Sequence, residues 1–225
     1  MPGTLHLVST PIGNPEDITL RAIRILKEVD AVLSEDTRKT GLLLAQHNIK
    51  KPLVSYFEAN EDRRIFHVIE RLLSGENMAL VTDSGTPLVS DPGYRLVRAA
   101  IAQGIAVKTV PGACAALAAL TISGLPPDRF VFMGFPPKKG GKRRRFIEDL
   151  FSYGCTCIVY LPARDVVKFL NELKENKPDV QIVIVREITK TYEEAIRGCL
   201  AEVIEPIKDK PLKGEVVLLI HAIDI

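Results

Sequence analysis

The chain has 225 residues, of which 46% are hydrophobic and 26% charged, and its formal net charge is +2. This composition is ordinary for a globular protein, and so small a charge excludes a protein that is basic over its whole surface. The longest apolar run, residues 113–122, is too short to span a bilayer, and no secretory signal is recognisable. Because the four cysteines show no framework spacing, we expect a soluble protein of the reducing cytoplasm.

Strand-like and helix-like apolar patterns alternate along the chain, which predicts an α/β fold. Predicted strands are LHLVST, DAVLSED, MALVTD, AVKTV, RFVFMGF, CIVYL, QIVIVREI and EVVLLIHAI. Predicted helices include residues 18–29, 61–73, 94–103 and 192–204. The run SGLPPDRF interrupts this alternation, and we place a domain boundary there, with an N-terminal α/β domain at 1–123 and a C-terminal α/β domain at 124–225.

The turn-rich segment TDSGTPLVSDPG follows the third of these predicted strands. Neither GxGxxG nor GxxxxGK[ST] occurs in the chain, and Asp83 and Asp91 would repel a phosphate. Carboxylates and hydroxyls suit a neutral or cationic ligand, and S-adenosylmethionine carries both nucleoside hydroxyls and a sulfonium. A metal site and a purely structural loop are the alternatives, but the loop has no His and no metal-binding motif, so we predict no metal.

Three further strand ends carry polar turns. STPIGNPED contains Asn14, and Asp17 within it could cap the next helix; in SEDTRKTG, Thr37 could do the same. The fourth loop, VPGACAAL, leads into a helix of small residues. If these strands are parallel, all four loops lie at one edge of a sheet, which favours a ligand site there.

Seven segments of the chain, taken together, resemble a known family. They are STPIGNPEDIT, SEDTRKTGLLL, ALVTDSGTPLVSDPGYRLV, VPGACAALAAL, GLPPDRFVFMGFPP, REITKTYEE and KGEVVLLI. Their order resembles the tetrapyrrole methylase superfamily, and within it the branch that methylates small-subunit ribosomal RNA. The resemblance implies two α/β domains with a cofactor cleft between them, S-adenosylmethionine as methyl donor, and a homodimer. It also implies 2′-O-methylation of a cytidine in 16S ribosomal RNA.

The same resemblance implies a set of cofactor-binding residues. They are Asp83, Gly85, Thr86, Val89, Ala113, Cys114, Ala115 and Leu161. One departure stands out: the family has a Tyr-Glu-x-Pro-His-Arg run where this chain reads YLPARD. Leu161, Arg164 and Asp165 therefore replace the expected Glu, His and Arg, and affinity or activity would differ if those residues touch the cofactor or the target nucleotide.

A ribose 2′-hydroxyl is a weak acid, so a positioned base should assist its methylation. The carboxylates available at the predicted strand ends are Glu35, Asp36, Asp83 and Asp91. We favour Asp36, because Arg38 beside it could bind a phosphate of the same nucleotide. Asn14, which offers a donor and an acceptor, completes the catalytic set of Asp36, Glu35, Arg38 and Asn14. A surface ion pair of Asp36 and Arg38 with no catalytic role is the alternative.

The segment PPKKGGKRRR concentrates positive charge in an otherwise acidic chain. Its cations are Lys138, Lys139, Lys142, Arg143, Arg144 and Arg145. Without these six the chain has 24 basic residues (30 minus 6) against 28 acidic ones. We predict a flexible segment that grips the RNA backbone, with a solvated charge run as the alternative. Two other functions stay open: methylation of a tetrapyrrole or corrin, and a non-catalytic ribosome-associated RNA-binding protein.

Overall fold

The structure is a computed structural model that describes residues 1–176, 180–209 and 212–222. The chain divides into two compact units, Met1–Cys114 and Ala115–Ile225. Each unit contains one β-sheet with helices packed against it, so the predicted α/β class is confirmed. None of the helices in the described ranges is long and apolar enough to cross a membrane.

The first unit is built on a five-stranded sheet of order β3-β2-β4-β1-β5. The strands are β1 (Thr4–Val8), β2 (Ala31–Ser34), β3 (Leu53–Ser55), β4 (Met78–Val81) and β5 (Ala106–Val110). Every pairing in it is parallel. The loops that follow β1, β2, β4 and β5 therefore leave from the same edge of the sheet, as the sequence predicts.

Helices cover both faces of this sheet. They are α1 (Leu20–Glu28), α2 (Thr37–Gln46), α3 (Glu61–Leu73) and α4 (Tyr94–Ala102). Successive residues of β4 join different apolar clusters: Leu80 packs with residues of α3 and α4, whereas Ala79 packs with residues of α1 and α2. Burial on both faces explains why β4 and the first three residues of β2 are apolar without alternation.

The described part of the second unit contains a mixed sheet of order β6-β7-β10-β8-β9. Its strands are β6 (Phe130–Gly134), β7 (Thr156–Pro162), β8 (Val180–Arg186), β9 (Glu194–Cys199) and β10 (Glu215–Ala222). Its helices are α5 (Ala115–Ser123), α6 (Gly141–Ser152), α7 (Val166–Asn176) and α8 (Leu200–Ile204). The pair β6–β7 is parallel, and the other pairs are antiparallel.

The division between the units comes before α5, whereas the sequence analysis places the boundary after it, at residue 123. Helix α5 contacts β7, β8, β9 and β10, and the Arg197 guanidinium Nε on β9 donates to the Ser123 carbonyl at 3.1 Å. The Pro126–Pro127 pair thus lies in the segment after α5, and α5 itself packs on the sheet of the second unit.

The last predicted helix, residues 192–204, is wrong over its first half. Residues Glu194–Cys199 form strand β9, which pairs antiparallel with β8, and only Leu200–Ile204 are helical. The apolar pattern of residues 192–204 does not separate the strand from the helix, because β9 continues into α8 without a loop. The Cys199 N–H donates to Glu202 Oε2 at 3.0 Å at the start of α8. Strand β3 is absent from the predicted strands because it has only three residues. Ile223, at the end of the last predicted strand, lies outside the described residues.

Two predicted helix caps also differ. Thr19, not Asp17, caps α1: its hydroxyl accepts the Ala22 N–H at 3.0 Å. Helix α2 is capped by Asp36 rather than Thr37, and the Asp36 carboxylate accepts the Arg38 N–H at 2.9 Å. In both cases the capping side chain belongs to the residue next to the first helical residue, as the geometry of an N-cap requires.

The basic segment is not a flexible loop throughout, because α6 begins at Gly141 and makes residues 142–145 helical. Five of its six cations are exposed: Lys138, Lys139, Lys142, Arg144 and Arg145. Arg143 is the exception and is only 9% exposed. Its guanidinium pairs with Glu172, donates to the Pro137 carbonyl at 3.1 Å and lies 5.0 Å from the centre of the Phe169 ring. These contacts argue against Arg143 as an RNA contact and assign it to the packing of α6 on α7.

Replacing Arg143 should therefore destabilise the protein. We expect Arg143→Ala to lower the free energy of unfolding by about 2–3 kcal/mol, because it leaves the Glu172 carboxylate without its partner and removes packing from Phe169. Arg144→Ala, next to it and exposed, is the control and should change stability by less than about 0.5 kcal/mol. Urea denaturation measures both, and equal effects of the two substitutions would contradict the structural role of Arg143.

Candidate active site at the carboxyl edge of the first sheet

Hydrogen bonds join the loops that follow β1, β4 and β5. Thr10 and Gly85 form an antiparallel bridge, with N–H···O distances of 2.9 and 3.1 Å. The Thr86 hydroxyl donates to the Ala113 carbonyl at 3.0 Å and lies 3.0 Å from the Ser9 hydroxyl. Since Thr86 uses its one proton on Ala113, Ser9 must be the donor in the second bond. One threonine thus fixes three loops at the position where the sequence predicts the cofactor.

The loop after β4 has an unusual backbone. Gly85 has a φ of 85°, and a Cβ built there would lie 3.2 Å from Ile12 Cγ2. Leu88 and Ser90 also have positive φ, at 73° and 66°, although neither is a glycine. Such backbone costs free energy and is held in place by its surroundings, which is frequent where a loop is shaped for a ligand.

The Thr82 hydroxyl, at the point where β4 ends, has no hydrogen-bond partner among the described residues. The residue is 2% exposed, and its own carbonyl accepts from the Thr10 hydroxyl at 3.2 Å. A buried hydroxyl without a partner costs about 1–3 kcal/mol, so it usually meets one from a water or a ligand. Thr82 thus supplies a polar atom that the protein itself does not satisfy.

The loops after β2 and β4 are joined through carboxylates. The Asp83 backbone N–H lowers the pKa of the nearby Glu35 carboxyl, against the larger rise caused by burial. Asp83 Oδ1 accepts from the Asp36 N–H at 3.0 Å, and Lys39 Nζ donates to Asp83 Oδ2 at 2.6 Å. Asp83, which the sequence assigns to the cofactor, therefore already has two partners and holds the two loops together.

The structure argues against Asp36 as the general base. The guanidinium of Arg38 binds both Asp36 carboxylate oxygens, at 3.0 and 2.7 Å, and holds the pKa of that carboxyl far below its ordinary value. So acidic a carboxylate is a weak base. The same contact occupies two donors of Arg38 that were expected to bind a phosphate. The alternative reading, an Asp36–Arg38 surface pair that caps α2, is the one that the geometry favours.

Asp91 has the opposite environment. It is partly buried, and burial, together with the negative charges of Glu35 and Asp83, raises its pKa to about 7. Among the described residues, no hydrogen-bond donor or cation contacts its carboxylate. Burial also raises the pKa of Glu35, and the charge of Asp83 adds to the effect.

In the described ranges, no three His, Cys, Asp or Glu side chains are arranged to hold a metal ion.

The remaining predicted residues have local roles in the structure. Asn14 accepts the Glu16 N–H at 3.1 Å and caps a short 3-10 turn, and the Val89 N–H donates to the Thr86 carbonyl at 3.3 Å. Cys114 and Ala115 are partly exposed. Leu161 lies on β7 in the second unit, where it is paired with Val216 and its side chain is buried in the core. Its assignment to the cofactor site stays a prediction.

Several residues that shape the site were not among those predicted from the sequence. Ser9, Thr10 and Thr82 belong to predicted strands and show no separate signal, although a hydroxyl at the last position of an apolar strand is one to search for. In the second unit, the Tyr160 hydroxyl accepts the Ala116 N–H at 3.1 Å, and its ring packs edge-on against Phe132 and Phe135. Tyr160 thus positions the first turn of α5.

A parallel sheet with polar loops at its carboxyl edge, none with a phosphate-binding fingerprint, is typical of an α/β protein that binds a ligand at that edge. Comparison with family models then identifies the chain more closely. Residues 4–204 match the model of the tetrapyrrole (corrin/porphyrin) methylases. The chain belongs to this family of methyltransferases, which use S-adenosylmethionine as methyl donor.

Relatives with curated names lie close in sequence. The chain is 44% identical over 218 residues to ribosomal RNA small subunit methyltransferase I of Streptococcus pyogenes serotype M1, covering 97% of this chain and 76% of the relative. It is 40% identical to the protein of the same name from Thermotoga maritima, covering 97% and 98%. Uroporphyrin-III C-methyl transferase from Thermus thermophilus, solved with S-adenyl homocysteine, shares the fold, with a TM-score of 0.66, 22% identity and 97% of both chains covered.

Proposed function

We propose that this protein transfers the methyl group of S-adenosylmethionine to the 2′-oxygen of a cytidine ribose in small-subunit ribosomal RNA. The observation that carries the proposal is the 40–44% identity, over 97% of the chain, to relatives named as methyltransferases of that RNA. The uroporphyrin-III C-methyl transferase is only 22% identical to this chain, so its similarity supports the fold and not the substrate. Mass spectrometry of small-subunit RNA from cells with and without the gene tests the proposal, and an unchanged RNA would refute it.

The residues at the edge of the first sheet fit such a cofactor. The loops present hydroxyls, carboxylates and backbone groups, and they lack a phosphate-binding fingerprint. The buried Thr82 hydroxyl has no hydrogen-bond partner among the described residues. We propose that the cofactor binds to Asp83, Gly85, Thr86, Val89, Ala113, Cys114, Ala115 and Leu161. S-adenosylmethionine supplies a methyl group that its sulfonium already activates, so the protein has to orient the attacking oxygen and accept its proton.

The exposed cations of the basic segment suit the phosphates of the RNA. Lys138 and Lys139 precede α6, and Lys142, Arg144 and Arg145 lie in its first two turns. We propose that these five residues position the RNA without reading its sequence, as phosphate contacts do.

We further propose that the protein acts in the cytoplasm as a homodimer, since the family resemblance implies a homodimer and two-fold symmetry is the commonest among oligomers.

The cofactor proposal predicts a specific loss in Thr86→Val. The substitution keeps the shape of the side chain but removes the hydroxyl that joins the Ser9, Thr86 and Ala113 loops, so we expect about tenfold weaker binding of S-adenosylmethionine. Isothermal titration measures it, and EDTA should not alter the wild-type affinity.

Thr121→Val is the matched control for Thr86→Val. The Thr121 hydroxyl is exposed and bonds only to the Ala118 carbonyl of its own helix, so cofactor affinity should remain that of the wild type. Wild-type affinity in Thr86→Val, or binding abolished by EDTA, would contradict the proposed cofactor site.

The RNA proposal predicts the salt dependence of binding. Changing Arg144 and Arg145 to Ala should weaken RNA binding and reduce the log–log salt slope by roughly 0.7 per lost contact on a single-stranded target. Cofactor affinity should stay the same, because neither side chain is assigned to the cofactor.

The adjacent and equally exposed pair Arg63 and Arg64 on α3 gives the matched control for the RNA measurement. The double Ala variant of that pair should keep the wild-type slope. If the Arg144 and Arg145 variant also keeps the wild-type slope and methylates fully, the basic segment is only a solvated surface.

A further inference from the structure

Four carboxylates lie on the loops after β2 and β4, and three of them are already engaged. The Asp83 backbone N–H acts on Glu35 and lowers its pKa, Asp36 is bound by Arg38, and Asp83 is bound by Lys39 and the Asp36 N–H. Asp36 therefore caps α2, and Asp83 joins the loop after β4 to the start of that helix. Only Asp91 is left without a donor or cation among the described residues.

From this arrangement we infer that Asp91 is the proton acceptor of the methyl transfer, the group that takes the proton of the attacking ribose hydroxyl. The inference rests on the proposed function and adds to it the residue that performs the proton transfer. Asp36 and Asp83 then serve to position the loops around it.

Among the described residues, no contact of the Asp91 carboxylate assigns it a structural role. An aspartate just before a helix often caps it. The N-cap of α4 is Gly93, and no side-chain hydrogen bond caps this helix. The Gly93 N–H donates instead to Glu61 Oε1 at 3.1 Å, and this buried glutamate also accepts from the Tyr56 hydroxyl at 2.8 Å. The start of α4 is thus fixed without Asp91, so its carboxylate is available.

A second observation points to a ligand at the same loop. The Thr82 hydroxyl, 2% exposed, precedes Asp83 in the chain and has no partner within the described ranges. It is independent of the carboxylates, because its hydroxyl bonds to none of them. An unpartnered carboxylate and an unpartnered buried hydroxyl thus belong to one loop, at the edge where the cofactor is proposed to bind.

The proposed step balances as follows. The ribose O–H bond breaks and its proton moves to an Asp91 carboxylate oxygen, while the ribose oxygen forms a bond to the methyl carbon. The pair of electrons of the sulfur–carbon bond returns to sulfur, which loses its positive charge. The neutral carboxylic acid then releases the proton to solvent, and no oxidant, reductant or metal is required.

The protonation of Asp91 sets the expected pH dependence. The charges that act on it are Glu35 and Asp83, and with burial they raise its pKa from 3.8 to about 7. A base acts in its deprotonated form, so the methylation rate should rise with pH and level off above about 7. Charging a group whose folded pKa is raised also disfavours folding, so wild-type stability should fall relative to a neutral variant as pH rises from 3.8 through about 7.

The test compares Asp91→Asn with Asp62→Asn, a carboxylate-to-amide control on α3 whose carboxylate is exposed and pairs with Arg95. The measurements are single-turnover methylation of small ribosomal subunits across pH, isothermal titration of S-adenosylmethionine, and denaturation across pH. We expect Asp91→Asn to lower the rate at saturating cofactor by about 10²-fold or more and to remove its rise with pH. Cofactor affinity should be unchanged, and the variant should gain stability over the wild type as pH rises. Asp62→Asn should follow the wild type in rate, affinity and pH profile.

Asp91→Glu adds a check that does not depend on the amide. It keeps a carboxylate but moves it by one methylene, so we expect a reduced rate that still rises with pH. Wild-type rates in Asp91→Asn would overturn the inference, as would weaker cofactor binding with an unchanged saturated rate, since Asp91 would then pair with the cofactor. A stability difference that does not vary with pH would also overturn it. If the wild type methylates no ribosomal subunit, the proposed function fails first, and the inference falls with it.

Discussion

The parallel pairing of β1, β2, β4 and β5 is the constraint on which the candidate site depends. Ser34 at the end of β2 pairs with Val81 at the end of β4, and Val8 of β1 pairs with Val110 of β5, so the strands end nearly level. A shift of register would carry each following loop along the edge and separate the groups that now meet there. The apolar side chains that both faces of the sheet bury therefore fix the positions of polar groups that lie outside the core.

Polar groups at this edge then take one of two roles. The Thr86 hydroxyl bonds to the loops after β1 and β5, and the Asp83 carboxylate bonds to Asp36 and Lys39 at the start of α2. These bonds hold the loops at fixed distances. The Thr82 hydroxyl and the Asp91 carboxylate have no partner in the part of the chain that the structure describes. Leaving buried polar groups without partners costs stability, and such a cost is expected where preorganisation serves a ligand or a reaction. The satisfied groups hold the loops in place, and we propose that the unsatisfied ones serve the ligand and the reaction.

The sequence predicts this architecture well where a physical signal is local. The apolar run MALV predicts a strand. The glycine and proline residues that follow it mark the end of that strand and so the edge of the sheet where the loop lies. The sequence does not reveal which charges meet, because Asp83 is 47 residues from Asp36, and their contact depends on two strands pairing. It also misplaces β9, whose extended form is imposed by pairing with β8 and not by its own composition.

Two pairs of chemically alike residues show why residue type alone could not assign the roles. Asp36 and Asp91 are both aspartates at strand-end loops, but a guanidinium lowers the pKa of the first, while burial beside two carboxylates raises that of the second. Arg143 and Arg144 are neighbours, but the helical twist turns the first towards Phe169 and Glu172 and leaves the second exposed. In both pairs the neighbours that the fold supplies decide whether a charge is structural or available. The search for a catalytic base in such a sheet should therefore begin with the carboxylate that has no partner, since a carboxylate already bound to a cation is stabilised in its charged form and gains little by accepting a proton.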